Sequence, residues 1–421
     1  MRLAFPIWRR THYRLLTPVI EEALGRGLTV ECWHDEAGAR DGHKGYLFPT
    51  LEEVPKFAGG TPVFRTYEGR DGLYALAQRE RVDALLAWRP PRLLLGPGRA
   101  SPVPWVMLQD SPGFFARDRL PDADDLAGVD AIGVYSAHWL EWGLGVMRAD
   151  GRLGAGDSRA DVIRARSRVV GFPELDACRM LDRSAIRATL GLPAGRPVVT
   201  FMPYPYDSNP TSFWSRWIYA NPRAWLQAAM ILARGRHRYW PHVRRGWHDR
   251  NLVRAVRAFC DANGAALVVK YREKDPIPDY LRAAADVAVA DPVPWPPAIL
   301  DVLAVADLAV SFYSATVLEA AFLGVPYLCI GFADHDWYGH LDAAWSAARF
   351  DTRQGGEFNF PGVTELTTIP EVIARLPGRR LAEFRSDPGQ RSAYVARFLG
   401  HDDGHSAART IDLALGAAGR A

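Results

Sequence analysis

The stretch ADLAVSFYSATVLEAAFLGVPYLCI, residues 306–330, constrains the fold more than any other part of the chain. Leu308, Ala309 and Val310 form a short apolar run that reads as a buried strand. Ser311 to Ser314 turn the chain, and Ala315 to Leu323 have the composition of a helix. Ser314 stands at the expected N-cap, where its hydroxyl can accept from a backbone N–H of the first turn. Gly324 stops the helix, Pro326 prevents its continuation, and Tyr327 to Ile330 return as a second buried strand. A strand–turn–helix–strand unit implies a parallel sheet, whose ligands bind beyond the carboxyl ends of the strands. The N–H groups opening such a helix suit a phosphate or diphosphate. Glu319, about one turn further in, could reach a ribose hydroxyl. Without a ligand the same residues make a plain βαβ unit with a capped helix and a surface glutamate.

The same grammar opens the chain. Leu3 to Ile7 make a first strand, the loop Trp8 to His12 follows, and a helix runs from about Tyr13 to Leu24. Its apolar Leu15, Leu16, Val19, Ile20 and Leu24 recur at helical spacing. Gly25 and Gly27 end it, and Leu28 to Trp33 form the next strand. His12 lies in the strand-to-helix loop, where an imidazole can act as general base on a hydroxyl because its pKa is near the working pH. Its other reading is a helix cap or a solvent contact. From Asp35 to Gly60 the chain is polar and loop-like, and strands follow at Val82 to Trp88, Pro104 to Leu108 and Ala131 to Tyr135. Asp110, just past the second of these, is an alternative general base or acceptor-binding carboxylate, against the commoner turn aspartate. His138 is a weaker candidate of the same kind.

Pro197 to Met202 read as a further strand, preceded by the turn residues Leu190-Gly191-Leu192-Pro193. The loop Pro203 to Ser208 lies at the carboxyl edge of that strand. Residues 234–250, RGRHRYWPHVRRGWHDR, interleave arginines with Tyr239, Trp240 and Trp247. That mixture suits a polyphosphate, an anionic acceptor or an anionic membrane surface, with a solvated connector as the plain alternative. One short basic run is poor evidence for nucleic acid. Asn251 to Asn263 and Ile299 to Val305 read as helices, with the strand Ala265 to Lys270 between them. Asp334-His335-Asp336 with His340, and His401 to His405, match no metal-ligand spacing. The second of these reads as a turn before a closing helix, Ser406 to Ala417.

These residues resemble the GT-B glycosyltransferases, within them the branch holding CDP-glycerol glycerophosphotransferases and related capsule enzymes. Ala306, Asp307, Ser311, Tyr313, Ser314, Glu319, Leu323, Gly324 and Pro326 fall in register with that family's nucleotide-binding segment; Phe312 replaces an Asp and Ala315 a Ser. Val169-Val170-Gly171-Phe172-Pro173-Glu174-Leu175-Asp176 resembles the segment by which the family leaves its first domain. With Leu190-Gly191-Leu192-Pro193 and the strand Pro197 to Met202 opening the second, the resemblance implies a linker at about 171–195. Lys270-Tyr271-Arg272-Glu273 occupies the place of Lys-Pro-His-Pro, with Arg272 where the family has histidine. Asp403, Gly404 and Arg409 resemble its Asp-Gly-x-x-x-x-Arg ending.

The resemblance implies two Rossmann-like doubly wound α/β domains facing a cleft, with a last helix crossing back to the first domain. The expected boundaries are 1–175 on the acceptor side, 176–400 for the nucleotide donor and 401–421 for the crossing helix. It implies Lys270, Arg272, Ser314, Thr316 and Glu319 as donor ligands, His12 or Asp110 as base, and neither metal nor cofactor beyond the donor itself. Cations at a strand end would offset charge building on a leaving diphosphate, while surface salt bridging is their plain reading. The expected activity is sugar transfer from a nucleotide-diphosphate donor to a surface-glycan, lipid-linked or small-molecule acceptor. Polyol-phosphate transfer, nucleotide-sugar epimerisation and an inert nucleotide-binding scaffold are the alternatives.

Composition adds limits. With 421 residues, 48% of them hydrophobic, the chain can fill two cores. A net charge of +3 gives no global case for nucleic acid. Cys32, Cys178, Cys260 and Cys329 are scattered and read as buried thiols. The opening MRLAFPIWRR lacks a signal-peptide core, so a cytoplasmic protein is expected, with residues 234–250 as a peripheral membrane contact. Abundant Ala, Arg and Trp suggest a GC-rich bacterial genome.

Overall fold

Short apolar runs build two all-parallel sheets in the computed structural model of the chain. It describes residues 1–8, 11–36, 54–109, 121–203, 248–271, 277, 279–290, 295–331 and 351–419. The first sheet holds β1 (Arg2–Ile7), β2 (Thr29–Asp35), β3 (Val63–Tyr67), β4 (Ala84–Ala87), β5 (Trp105–Leu108), β6 (Ala131–Val134) and β7 (Ser167–Val169). Their order is β3-β2-β1-β4-β5-β6-β7. The second holds β8 (Val198–Met202), β9 (Ala266–Lys270), β10 (Val287–Val289), β11 (Leu308–Phe312), β12 (Tyr327–Gly331) and β13 (Thr364–Thr368), in the order β10-β9-β8-β11-β12-β13. Every residue of β4, β5, β6, β8, β9, β11 and β12 is buried. That is the mark of a parallel sheet covered on both faces.

The helices needed below are α1 (Thr11–Gly25), α2 (His248–Ala262), α3 (Ala298–Ala304), α4 (Thr316–Phe322), α5 (Pro388–Phe398) and α6 (Ser406–Ala417). The chain divides into two units, Met1–Met180 with Val293–Pro297 and Val395–Ala421, and Leu181–Pro292 with Ala298–Tyr394. Their cores are separate. Leu3, Phe5, Leu16, Ile20, Leu86 and Ile411 belong to one cluster, and Val199, Phe201, Phe259, Val269, Val310 and Ile330 to another. All four cysteines are buried, and none is in a disulfide. Among the described residues no helix is long and apolar enough to cross a membrane.

Two of the sequence motifs meet in the first unit. Asp176 accepts from the N–H groups of Ser406 at 3.1 Å and Ala407 at 2.7 Å, so it caps α6 from outside the helix. Arg409, on the same helix, donates to the Val170 carbonyl at 3.0 Å and forms a two-pronged pair with Asp403 at 2.7 and 2.8 Å. That guanidinium holds the Asp403 carboxyl below the usual carboxylate range. Gly171 is required here: its φ is +86°, and an added Cβ would lie 2.4 Å from Ser406 Oγ. Helix α6 then packs Ala407, Ile411 and Ala414 into the first core. The chain's last segment therefore returns to its first unit.

Replacing Asp176 with Ala should cost about 1–2 kcal/mol of stability. Gly171→Ala should cost at least about 1 kcal/mol through its left-handed backbone and the clash with Ser406. Urea unfolding checks both, and wild-type midpoints would contradict this account of the clasp.

Candidate active site

Strand order reverses once in each sheet, between β1 and β4 in the first and between β8 and β11 in the second. At such a switch point the loops leave in opposite directions and open a crevice at the carboxyl edge. His12 follows β1, and Trp88 follows β4. Their ring centroids lie 5.5 Å apart, and Trp8 sits edge-on to His12 at 4.2 Å. His12 is buried and belongs to the first turn of α1, not to the loop expected from sequence. The helix starts two residues earlier than Tyr13 because Thr11 and His12 already have helical backbone.

Two further groups at this edge were not singled out from sequence. In the sequence Trp88 is only the end of a strand, and no periodicity shows that it meets His12. His34, near the end of β2, lies beside Ile7 in the ladder. Its Nε2 is 2.7 Å from the hydroxyl of Tyr13 on α1. Burial lowers the His34 pKa to about 4, so the ring is neutral at physiological pH. His138, in the helix Ala137–Ala149 of the same unit, packs edge-on against Phe398 at 5.0 Å. Asp110 lies outside the described residues.

In the second unit β11 runs to Phe312, so Ser311 and Phe312 belong to the strand and not to the turn. Ser311 can stay there because its hydroxyl donates to the Met202 carbonyl at 2.8 Å. Phe312 is buried in the core cluster, and its carbonyl accepts from the Tyr327 hydroxyl at 3.0 Å. The helix begins at Thr316, with Ala315 and not Ser314 at the cap position in helical geometry. Ser314 Oγ nevertheless takes the Thr316 N–H at 3.3 Å and lies 2.8 Å from Thr316 Oγ1. The two hydroxyls therefore form one polar turn directly after the switch-point strand.

Glu319 is fully buried, whereas a surface position was one of its sequence readings. Val317, Leu318, Ala320, Ala321 and Phe322 beside it are buried too, so α4 is covered all round and not on one face alone. Arg391 fixes the other end of this helix by donating to the Ala321 carbonyl at 3.0 Å and to the Phe322 carbonyl. Asp307 proves structural: it accepts from the Val198 N–H at 2.8 Å and from Arg183 at 2.9 Å, joining the starts of β8 and β11. Lys270 ends β9, one strand from the switch point, and is nine-tenths buried. Arg272, the loop 204–208 and residues 332–350 lie outside the described residues, as do residues 234–247. Arg250, the last residue of the basic run, stacks over the Tyr280 ring at 5.2 Å.

No protein-family model matches this sequence, and no curated protein matches it. Solved structures do. The wall teichoic acid polymerase TagF aligns with a TM-score of 0.56 at 12% identity, over 99% of this chain and 89% of that one. The chain has the GT-B fold. S. aureus MnaA, solved with UDP, aligns to this GT-B chain with a TM-score of 0.55 at 10% identity, covering 100% of this chain and 97% of that one. UDP-GlcNAc 2-epimerase from Methanocaldococcus jannaschii gives 0.52 at 11% identity, covering 98% and 99%.

His34 makes acid stability a test of this edge. Its folded pKa, about 4, is below the unfolded value of about 6.5. The unfolded chain therefore takes up a proton first as pH falls. The stability that neutral burial supports is whole above pH ~6.5 and is lost between there and pH ~4, by up to about 3 kcal/mol. A His34→Asn variant should lose less stability than wild type between pH 7 and 4.5 in urea titrations. Parallel losses would contradict the burial of this imidazole.

Proposed function

We propose that this protein is a GT-B transferase that moves a sugar from a nucleotide-diphosphate donor to a hydroxyl acceptor. The acceptor class is a cell-surface glycan, a lipid-linked intermediate or a small molecule. What supports the reading is that sequence candidates for two roles occupy the switch points of two different sheets: His12 beside Trp88 in one, the Ser314–Thr316 turn in the other.

In this reading Ser314 and Thr316 hold the diphosphate, with Lys270 and Arg272 supplying positive charge. Glu319 as the ribose carboxylate requires the donor to uncover a side chain that is buried without it. His12, or Asp110, takes the proton from the acceptor hydroxyl. The acceptor oxygen bonds to the anomeric carbon as the bond to the diphosphate breaks, and the electron pair leaves on the nucleotide. The cations offset the charge that appears there. No step is assigned to a metal, so activity is expected to survive a chelator.

Nucleotide-sugar epimerisation is the second reading. It is supported by the fold likeness to the M. jannaschii epimerase and to MnaA with bound UDP. The two readings separate on one point, since an epimerase turns over the nucleotide sugar with no acceptor present.

The test is thermal stabilisation by UDP, CDP, GDP, ADP and dTDP. A nucleotide at about 100 times its dissociation constant should add roughly 2.7 kcal/mol. The gain should be lost in Lys270→Ala and in a Ser314→Ala/Thr316→Val double variant. His12→Ala should keep nucleotide binding while turnover falls about 100-fold or more. No stabilisation by any nucleotide would remove the donor-binding reading.

A further inference from the structure

Glu357 is a buried acid with no part in the proposed chemistry. It lies in a tight turn closed by the Gly355 N–H to the Asn359 carbonyl at 2.8 Å and the Asn359 N–H to the Gly356 carbonyl at 3.1 Å. The residue is 1% exposed, and its Oε2 has no hydrogen-bond partner. A carboxylate left so would forfeit its hydration without compensation. Asp351, from its own loop, adds a like charge, although that carboxylate is itself paired with Arg353 at 2.8 Å. Burial, with the Glu357 charge adding to it, pushes the Cys329 thiol on β12 well above its ordinary range. Tyr394 faces Glu357 from α5 and donates its hydroxyl to the Glu357 main-chain oxygen at 2.9 Å. Burial, and after it the negative charge of nearby acids including Glu357 and Glu319, pushes the Tyr394 hydroxyl well up. Among these described residues the groups set against Glu357 are acidic or neutral, and the one cation, Arg353, is taken up by Asp351.

The next residue joins this turn to the candidate site. The ring of Phe358 packs edge-on against Tyr313 at 5.1 Å, and Tyr313 precedes Ser314 in the turn after β11. We propose that Glu357 is a proton-operated latch: as a neutral acid it keeps the 355–359 turn packed, and loss of its proton frees Phe358 from Tyr313. The latch concerns the turn beside the switch point and holds whether or not that switch point binds a nucleotide.

The sign follows from burial, which together with Asp351 pushes the Glu357 carboxyl well above the ordinary glutamate range. The folded state keeps a proton that the unfolded chain has released. The stability this group allows is therefore whole below the unfolded pKa and is lost as pH rises from there to the folded value. Each pH unit in that window costs a factor of ten in the ratio of folded to unfolded protein.

Two measurements test the latch. Urea unfolding between pH 5 and 9 should show Glu357→Gln gaining on wild type by about tenfold per pH unit at first. The apolar Glu357→Met should give the same slope if the amide itself hinders folding. Parallel pH profiles for wild type and both variants would overturn a neutral buried Glu357. Hydrogen exchange, corrected for intrinsic rates, then reads the coupling. In wild type, peptides covering 355–360 and 311–316 should both lose protection at high pH. Glu357→Gln should remove both changes, and Phe358→Ala should remove the pH response of 311–316 alone. A wild-type 311–316 segment indifferent to pH would overturn the link to Tyr313.

Discussion

Both units depend on one constraint of parallel sheets: a strand cannot pair with its neighbour until the chain has crossed a face and returned to the same end. Every crossover therefore delivers its residues to the carboxyl edge in the same way, and the edge opens only where strand order reverses. In the first sheet that place lies between β1 and β4, in the second between β8 and β11. His12 with Trp88, and Ser314 with Thr316, owe their positions to this geometry before any consideration of chemistry. The buried strands make it rigid, since Ser311 and Tyr327 satisfy even their side-chain hydroxyls on neighbouring backbone.

The first unit needs a second constraint, because its chain is interrupted by more than two hundred residues of the other unit. Asp176 and Arg409 supply it. One carboxylate caps α6, and one guanidinium reaches the backbone between β7 and Gly171. Neither is an isolated surface pair. Arg409 is mostly buried, and it combines an ion pair with a main-chain bond, which gives it more weight than charge alone. Here residues that resembled a family's entry and exit motifs have a plain physical purpose.

The fold was largely legible because its signals are local. Short apolar runs, Gly324 and Pro326 as punctuation, and the Ser406–Ala417 helix all declare themselves within a few residues. What was not legible depends on pairing across the chain. Ser311 and Phe312 looked like turn residues because nothing local shows that Met202 and Ile330 extend the ladder alongside them. Glu319 carried a charged side chain on a short helix, and only the packing of that helix shows it to be buried. His34 and Trp88 gave no motif at all; their proximity to Tyr13 and His12 arises from the register of β1 with β2 and β4. The candidate site was thus legible as residue types at strand ends, and illegible as an arrangement.

The central claim is that the Ser314–Thr316 turn at the β8/β11 switch point holds a nucleotide diphosphate. A crystal structure of the protein soaked with UDP or CDP tests it most directly. The account predicts diphosphate oxygens within hydrogen-bond distance of Ser314 and Thr316, with the Lys270 ammonium turned towards them. A nucleotide bound elsewhere on the chain, with this turn still bonded only to itself, would contradict it.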